Sequence, residues 1–269
     1  MDLTDLKALK SFLYAHNIRP DKRLGQNFLI DKNALEKLLE AAKISKDDTI
    51  LEVGAGIGTI TIELAKLAKK VAAVERDRAL IPILEKVTKD CKNVEIVQED
   101  ILKACFMLHD SCFMVVGNIP YYLTAPLIRK FLESPNPPSS MTLMVQKEMA
   151  ERICAKPPDM SILAVSVQVY AKPEIMAHIP RSSFWPTPKV DSAILRIISN
   201  SPHPPLTVRG GAEGGVTFFD VVRAGFSSPR KQLINNLPKE LLLAADIAPE
   251  RRAETLTVEE WERLWYNTL

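Results

Sequence analysis

Residues 49–61 read Thr-Ile-Leu-Glu-Val-Gly-Ala-Gly-Ile-Gly-Thr-Ile-Thr, and this stretch decides the fold. Its first half is aliphatic and β-branched, its middle sets Gly54, Gly56 and Gly58 two apart, and its continuation to Lys70 carries apolar residues at helical spacing. The order is strand, tight turn, helix. Glycines there allow backbone conformations barred to other residues and let a ligand lie against the main chain with no Cβ between. The helix that follows points unpaired N–H groups back at the turn. A nucleotide-like ligand suits such a place.

Glycine spacing selects among nucleotide-like ligands. A dinucleotide fingerprint G-x-G-x-x-G starting at Gly54 needs its third glycine at position 59, which is Thr59. A G-x-G-x-G turn preceded by an acid, here Glu52, instead resembles the loop of S-adenosylmethionine-dependent methyltransferases, whose ligand has no pyrophosphate. A glycine turn that serves packing alone is the competing reading.

The composition is that of an ordinary globular protein. With 269 residues, 46% apolar and 25% charged, the chain can bury a full core and holds one large domain plus a small one. The N-terminus carries acids and no sustained apolar run, and no stretch approaches the length of a bilayer span, so a cytoplasmic protein with no membrane partner is expected. Cys91, Cys105, Cys112 and Cys154 form no C-x-x-C pair; Cys105, His109 and Cys112 lie close in sequence but lack a fourth ligand, so reduced thiols and no metal are expected. A net charge of +2 neither requires nor excludes a nucleic-acid partner, which needs a basic face rather than a basic total.

Outward from the glycine turn, strand and helix patterns alternate. Val71–Glu75 is a buried strand whose terminal carboxylate stands 21 residues after Gly54, where a doubly wound fold places the acid that receives ribose hydroxyls. A helix from Ala79 to about Lys89 leads to the strand Val94–Val97 and then to Gln98-Glu-Asp100-Ile101. Asp100 also closes a strand at its carboxyl end; it can accept from an adenine amino group, with Ile101 against the ring. This repetition argues a parallel sheet with right-handed crossovers.

The strand Phe113–Val116 runs into Gly117-Asn118-Ile119-Pro120-Tyr121, the most specific stretch of the chain. An exocyclic adenine amine is a poor nucleophile because its lone pair is delocalised into the ring. It needs acceptors for its protons and a surface that holds it in line. Asn118 offers a side-chain carbonyl, Pro120 holds the preceding residue extended so that a main-chain carbonyl can point the same way, and Tyr121 offers a stacking face. An Asn-Pro turn closing a strand is the bland alternative.

Eight blocks in order carry a family resemblance: Gln26–Leu29, Glu52–Gly58, Glu75, Glu99-Asp100, Asn118–Tyr121, Val145–Ile153, Phe184–Ser192 and Phe226–Leu237. The chain resembles the small-subunit ribosomal RNA adenine dimethyltransferases of the KsgA type over nearly its whole length. The resemblance implies a Rossmann-like class I methyltransferase domain of α/β class with a small C-terminal helical domain, and S-adenosylmethionine as cofactor. It implies methyl transfer to two adjacent adenines in a hairpin near the 3′ end of small-subunit RNA, with that RNA or its precursor particle as partner; a monomer is expected. The cofactor contacts carried over are Asn27, Leu29, Gly54, Glu75, Asp100 and Asn118, beside Gly56 and Ile101 from the turn and the rim. Phe184 is implied to sandwich the flipped adenine opposite Tyr121, and anchoring its own loop is the alternative.

The rest of the chain is assigned by pattern. Lys32–Lys43 and Leu123–Leu132 are expected helices, and Met141–Val145 an expected fifth strand. Val165, Val167 and Val169 alternate as in a strand, yet the resemblance implies a helix over 161–170. Pro173–Ile179 and Ala193–Ile198 read as a closing antiparallel pair. Domains are expected at 1–199, with 1–31 as arm and flap, and at 217–269, joined by a proline- and glycine-rich linker over 200–216. The second domain carries Arg223, Arg230, Lys231, Arg251 and Arg252, suited to phosphates. Gly225 and Pro229 depart from the family pattern of alanine and a basic residue, which leaves the local helix start and one RNA contact open. Three other functions compete: a large-subunit adenine methylase of the macrolide-resistance type, a non-catalytic ribosome-assembly factor, and a nicotinamide oxidoreductase.

Overall fold

A computed structural model describes residues 2–103, 112–200 and 216–268. Cys105, His109 and nearly all of the expected linker lie outside the described residues. Among those described, no three potential metal ligands come together, and no helix is long and apolar enough to cross a membrane.

An N-terminal helix, α1 (Leu6–Ala15), has no counterpart among the expected elements; the Asp5 side chain caps it by accepting from the Ala8 N–H. Leu9 and Leu13 are completely buried against Phe28, Ile57, Leu80 and Ile83, each contributing roughly 2 kcal/mol of burial. A two-residue strand β1 (Phe28–Leu29) and helix α2 (Lys32–Ala42), capped by Asp31, follow. Next come β2 (Thr49–Val53), α3 (Thr59–Leu67), β3 (Lys70–Glu75), α4 (Ile81–Thr88) and β4 (Val94–Gln98). After these come β5 (Met114–Asn118), α5 (Thr124–Leu132) and β6 (Ser140–Gln146).

Beyond β6 lie α6 (Lys147–Ile153), α7 (Ile162–Gln168), β7 (Ala171–Ile179), β8 (Phe184–Trp185) and β9 (Ser192–Ser199). The helical reading of 161–170 holds: Ser161 caps α7, and Ala164, Val165 and Val167 are buried. The seven-stranded sheet runs β4-β3-β2-β5-β6-β9-β7, parallel from β4 through β6, with β9 antiparallel to β6. Because β2 is flanked by β3 on one side and β5 on the other, strand order reverses at β2. A crevice therefore opens at its carboxyl end. β1 pairs separately with β8, setting Leu29 opposite Phe184, and the Asp31 carboxylate accepts from the Ser183 hydroxyl at 2.7 Å. These contacts anchor the expected flap at its C-terminal end.

The chain divides into two compact units that differ from the expected domains. The first unit comprises residues to Ala150 together with Glu174–Ser199; the second takes Glu151–Pro173 with the described residues after Ser199. Residues 151–173 therefore leave the 1–199 domain. Met160, Ala164, Val165 and Val169 share a core with Phe218, Val222, Trp261 and Trp265, so this apolar segment packs with the C-terminal helices.

That second unit contains α8 (Phe218–Gly225), α9 (Lys239–Ala244) and α10 (Val258–Tyr266); Thr217 with Asp220 and Thr257 with Glu260 form capping boxes on α8 and α10. Gly225 ends α8 rather than starting a helix, and its place is explained by Trp261. A Cβ on Gly225 would fall 2.3 Å from the indole ring of that buried tryptophan. Gly225→Ala is accordingly expected to destabilise the protein by about 1–3 kcal/mol through overpacking, read as a lower urea midpoint, and the same change made in a Trp261→Leu background should cost much less.

Candidate active site

Strands β2, β3, β4 and β5 end on one rim. Their carboxyl ends deliver Gly54, Glu75, Asp100 and Asn118 to the crevice where strand order reverses. A cleft lies there, and its walls include Asn27, Gly54, Gly56, Glu75, Asp100, Ile101, Asn118 and Pro120. Leu29 lines a smaller adjoining recess with Gly54, Gly56 and Asn118.

The glycine turn is built as its spacing requires. Gly54, Gly56 and Gly58 have φ of +74°, +59° and +89°, a region that glycine alone enters without strain. At Gly54 a Cβ would meet only the Asn118 carbonyl oxygen at 3.6 Å, so a methyl group there would project into ligand space. Glu75 braces the turn: one carboxylate oxygen accepts from the Gly56 N–H at 2.8 Å, the other from the Asp77 N–H at 2.7 Å. Burial pushes its carboxyl above the usual range, and the two N–H groups oppose that shift. Each oxygen keeps a further lone pair for a ligand hydroxyl.

Asn118 is held at both ends of its environment. Its Nδ2 donates to the Asn27 main-chain carbonyl at 2.9 Å, which leaves Oδ1 as the acceptor available to a substrate amine. Among the described residues four acids line the cleft (Glu75, Asp77, Glu99, Asp100) against one base, Arg76, which pairs with Asp100 at 3.6 Å. An acid-rich wall suits a cationic ligand and opposes a pyrophosphate. Lys130 donates to the carbonyls of Ile101 and Leu102, both at 2.9 Å, and so fixes the loop that carries Asp100 and Ile101.

The two aromatic residues expected to face the base sit in different surroundings. Phe184 is only 2% exposed; paired with Leu29 across β1 and β8, its ring packs among Leu29, Leu38, Ile60 and Ile179. Phe184 thus anchors its loop in this conformation. Tyr121 is half-buried, outside the cleft wall, with its phenol on Ser192 Oγ at 2.9 Å. Burial raises the Tyr121 pKa, the Ser192 hydroxyl opposes that shift, and the same hydrogen bond tethers the phenol. Tyr122, which no motif singles out, lines the cleft and is 56% exposed. Gly25, Gln26 and Asp77 line it too; Gln26 opens the block Gln26–Leu29, and nothing in the sequence marked Asp77.

In the second unit, Arg223 pairs with Asp220 at 2.6 Å, and Arg251 is spent on Glu260 and Thr255. Arg251 therefore stabilises its own helices. Arg230 and Lys231 lie exposed on the turn after α8.

The sequence pattern of one family, described as ribosomal RNA adenine dimethylase, matches residues 16–267. The chain belongs to this family. A Dehalococcoides mccartyi protein named ribosomal RNA small subunit methyltransferase A is 41% identical over 268 residues, covering 95% of this chain and 90% of the relative. Its namesake in Geobacillus thermodenitrificans is 42% identical over 277 residues, covering 95% and 93%. Among solved structures, a dimethyladenosine transferase from Plasmodium falciparum superposes with a TM-score of 0.76 at 28% identity, covering 88% of this chain and 95% of that one. The 23S rRNA methyltransferase ErmE gives 0.72 at 28% identity, covering 90% and 99%. Membership in the adenine dimethylase family, with its Rossmann-like methyltransferase core and C-terminal helical region, removes the nicotinamide oxidoreductase alternative.

Proposed function

We propose that this adenine dimethylase family member binds S-adenosylmethionine in the acid-lined cleft and dimethylates two adjacent adenines in a 3′-terminal hairpin of small-subunit ribosomal RNA. The observation that carries the reading is the Asn118 amide, whose nitrogen is committed to Asn27 and whose oxygen is left to accept at the edge of that cleft.

The residues fit the donor. Gly54 leaves room against the main chain, Glu75 accepts from ribose hydroxyls, Asp100 accepts from the adenine amino group, and Ile101 supplies an apolar surface. S-adenosylmethionine supplies a methyl group on a cationic sulfonium centre. Asn118 Oδ1 accepts a proton of the target amine through a hydrogen bond, which draws the nitrogen lone pair out of the ring and holds it in line. The Tyr121 ring, held by Ser192, bounds the base. No strong base is required, because the methylated ammonium loses its proton to water.

Similarity of fold does not select the RNA, since the dimethyladenosine transferase and the 23S rRNA methyltransferase superpose with close TM-scores of 0.76 and 0.72. Identity of 41–42% over nearly full length to proteins named for the small subunit supports the small-subunit reading. The test is methyl transfer to undermethylated small subunits, naked small-subunit RNA and large-subunit RNA, followed by mapping of dimethyladenosine. Two neighbouring dimethylated adenines near the small-subunit 3′ end are expected. Label confined to large-subunit RNA, or none on any RNA, refutes the assignment.

A further inference from the structure

Residues 24–27 line the cleft and are tied at both sides. Gly25, at φ +68°, lies so close to Pro120 that a Cβ would sit 3.0 Å from the proline Cβ. The Gln26 side chain bridges two elements: Oε1 accepts from the Asp21 N–H at 2.7 Å, and Nε2 donates to Asp77 Oδ2 at 2.6 Å. Asp77 is itself oriented, with Oδ1 accepting from the Ala79 N–H at 2.9 Å and its own N–H on Glu75. The Asn27 side chain turns back to donate to the Gly25 carbonyl at 3.1 Å, while its main-chain carbonyl receives Asn118 Nδ2. One hydrogen-bonded line thus runs from the glycine turn through Glu75, Asp77 and Gln26 to the segment that holds Asn118.

An asparagine amide is nearly symmetric in shape but opposite in chemistry at its two ends. Only a neighbouring donor or acceptor decides which end faces a substrate. At Asn118 the decider is the Asn27 carbonyl, whose own position depends on the Gln26–Asp77 tie. We propose that Gln26 and Asp77 form a latch that sets the orientation of the Asn118 amide, so that Oδ1 faces the target amine. They are positioning residues. The proposal rests on the reading of Asn118 as acceptor for the amine.

A polarity swap tests it in the full chain. Gln26→Glu alone sets two carboxylates against each other. Asp77→Asn alone keeps its oxygen on the Ala79 N–H and turns an amide nitrogen toward Gln26 Nε2, donor against donor. Together the two changes rebuild the bridge with its direction reversed, since the new carboxylate at position 26 accepts from both the Asp21 N–H and the new amide at 77. Each single variant is expected to lower kcat at saturating S-adenosylmethionine about tenfold, and the double variant to return within about threefold of the parent. The Asn118 side-chain amide protons, followed by NMR, should be protected from exchange in the parent and the double variant and unprotected in the singles. Donor affinity is measured in parallel by calorimetry. Singles that weaken donor binding but keep kcat at saturation, or a double variant no better than the singles, overturn the latch. Unchanged activity in Asn118→Ala, run alongside, instead locates the failure in the reading of Asn118 itself.

Discussion

Asn118→Ala is expected to slow methyl transfer to adenine by about 10³-fold at saturating donor. The side chain removed is the one whose Oδ1 stands ready to accept while its nitrogen is held by Asn27 at 2.9 Å. With no acceptor, the target amine keeps its lone pair in the ring and loses its alignment, and both losses fall on the transition state. Donor affinity measured by calorimetry should change less than about tenfold, because Gly54, Glu75, Asp100 and Ile101 are untouched. Single-turnover transfer to small subunits reads the effect directly. Undiminished transfer would remove Asn118 from the chemistry.

A second large effect concerns stability rather than rate. Glu52 lies on β2 beneath the glycine turn, wholly buried, with neither carboxylate oxygen hydrogen-bonded among the described residues. Burial pushes its pKa from 4.5 up to about 8; the Thr61 hydroxyl opposes that shift and the Glu75 charge adds to it. The folded protein therefore holds a proton that the unfolded chain has released throughout the window between those two values. Native protein binds more protons than unfolded protein there, so the free energy of unfolding falls as pH rises, by about 1.4 kcal/mol per pH unit within the window. The stabilisation is complete below the unfolded value and lost by the folded one. Glu52→Gln keeps the shape and removes the titration. Urea unfolding of the two proteins should agree near pH 5 and diverge by pH 8, with the variant more stable by on the order of 3 kcal/mol. Parallel pH profiles would show that Glu52 ionises in the folded state without cost.

Most of this site was legible because its signals are local. A glycine at φ +74° is demanded by the turn itself, and acids at strand ends fall on one rim in any parallel sheet with this strand order. Asn118 and Pro120 follow directly from a strand, so their arrival at the rim needed no knowledge of distant contacts. What escaped depends on pairings far apart in sequence. Phe184 is buried because β8 meets β1, and two-residue strands have no periodicity to read. Gln26 and Asp77 are 51 residues apart, and nothing in either neighbourhood announces their 2.6 Å contact. The division of the chain escaped for the same reason: α7 follows β6 closely in sequence, but its apolar face belongs with Phe218 and Trp265. Helix α1 was readable in principle from Asp5, Leu6, Leu9 and Leu13, whose spacing the interleaved basic residues disguise.

The most direct test of the whole account is a crystal structure of the protein with S-adenosylmethionine or its demethylated product bound. The account predicts ribose hydroxyls on Glu75, the adenine edge on Asp100 above Ile101, and the reactive sulfur turned toward Asn118, with room for a base nitrogen about 3–3.5 Å from the transferred carbon. A donor seated outside this cleft, or one whose reactive carbon faces away from Asn118 and Pro120, would contradict it.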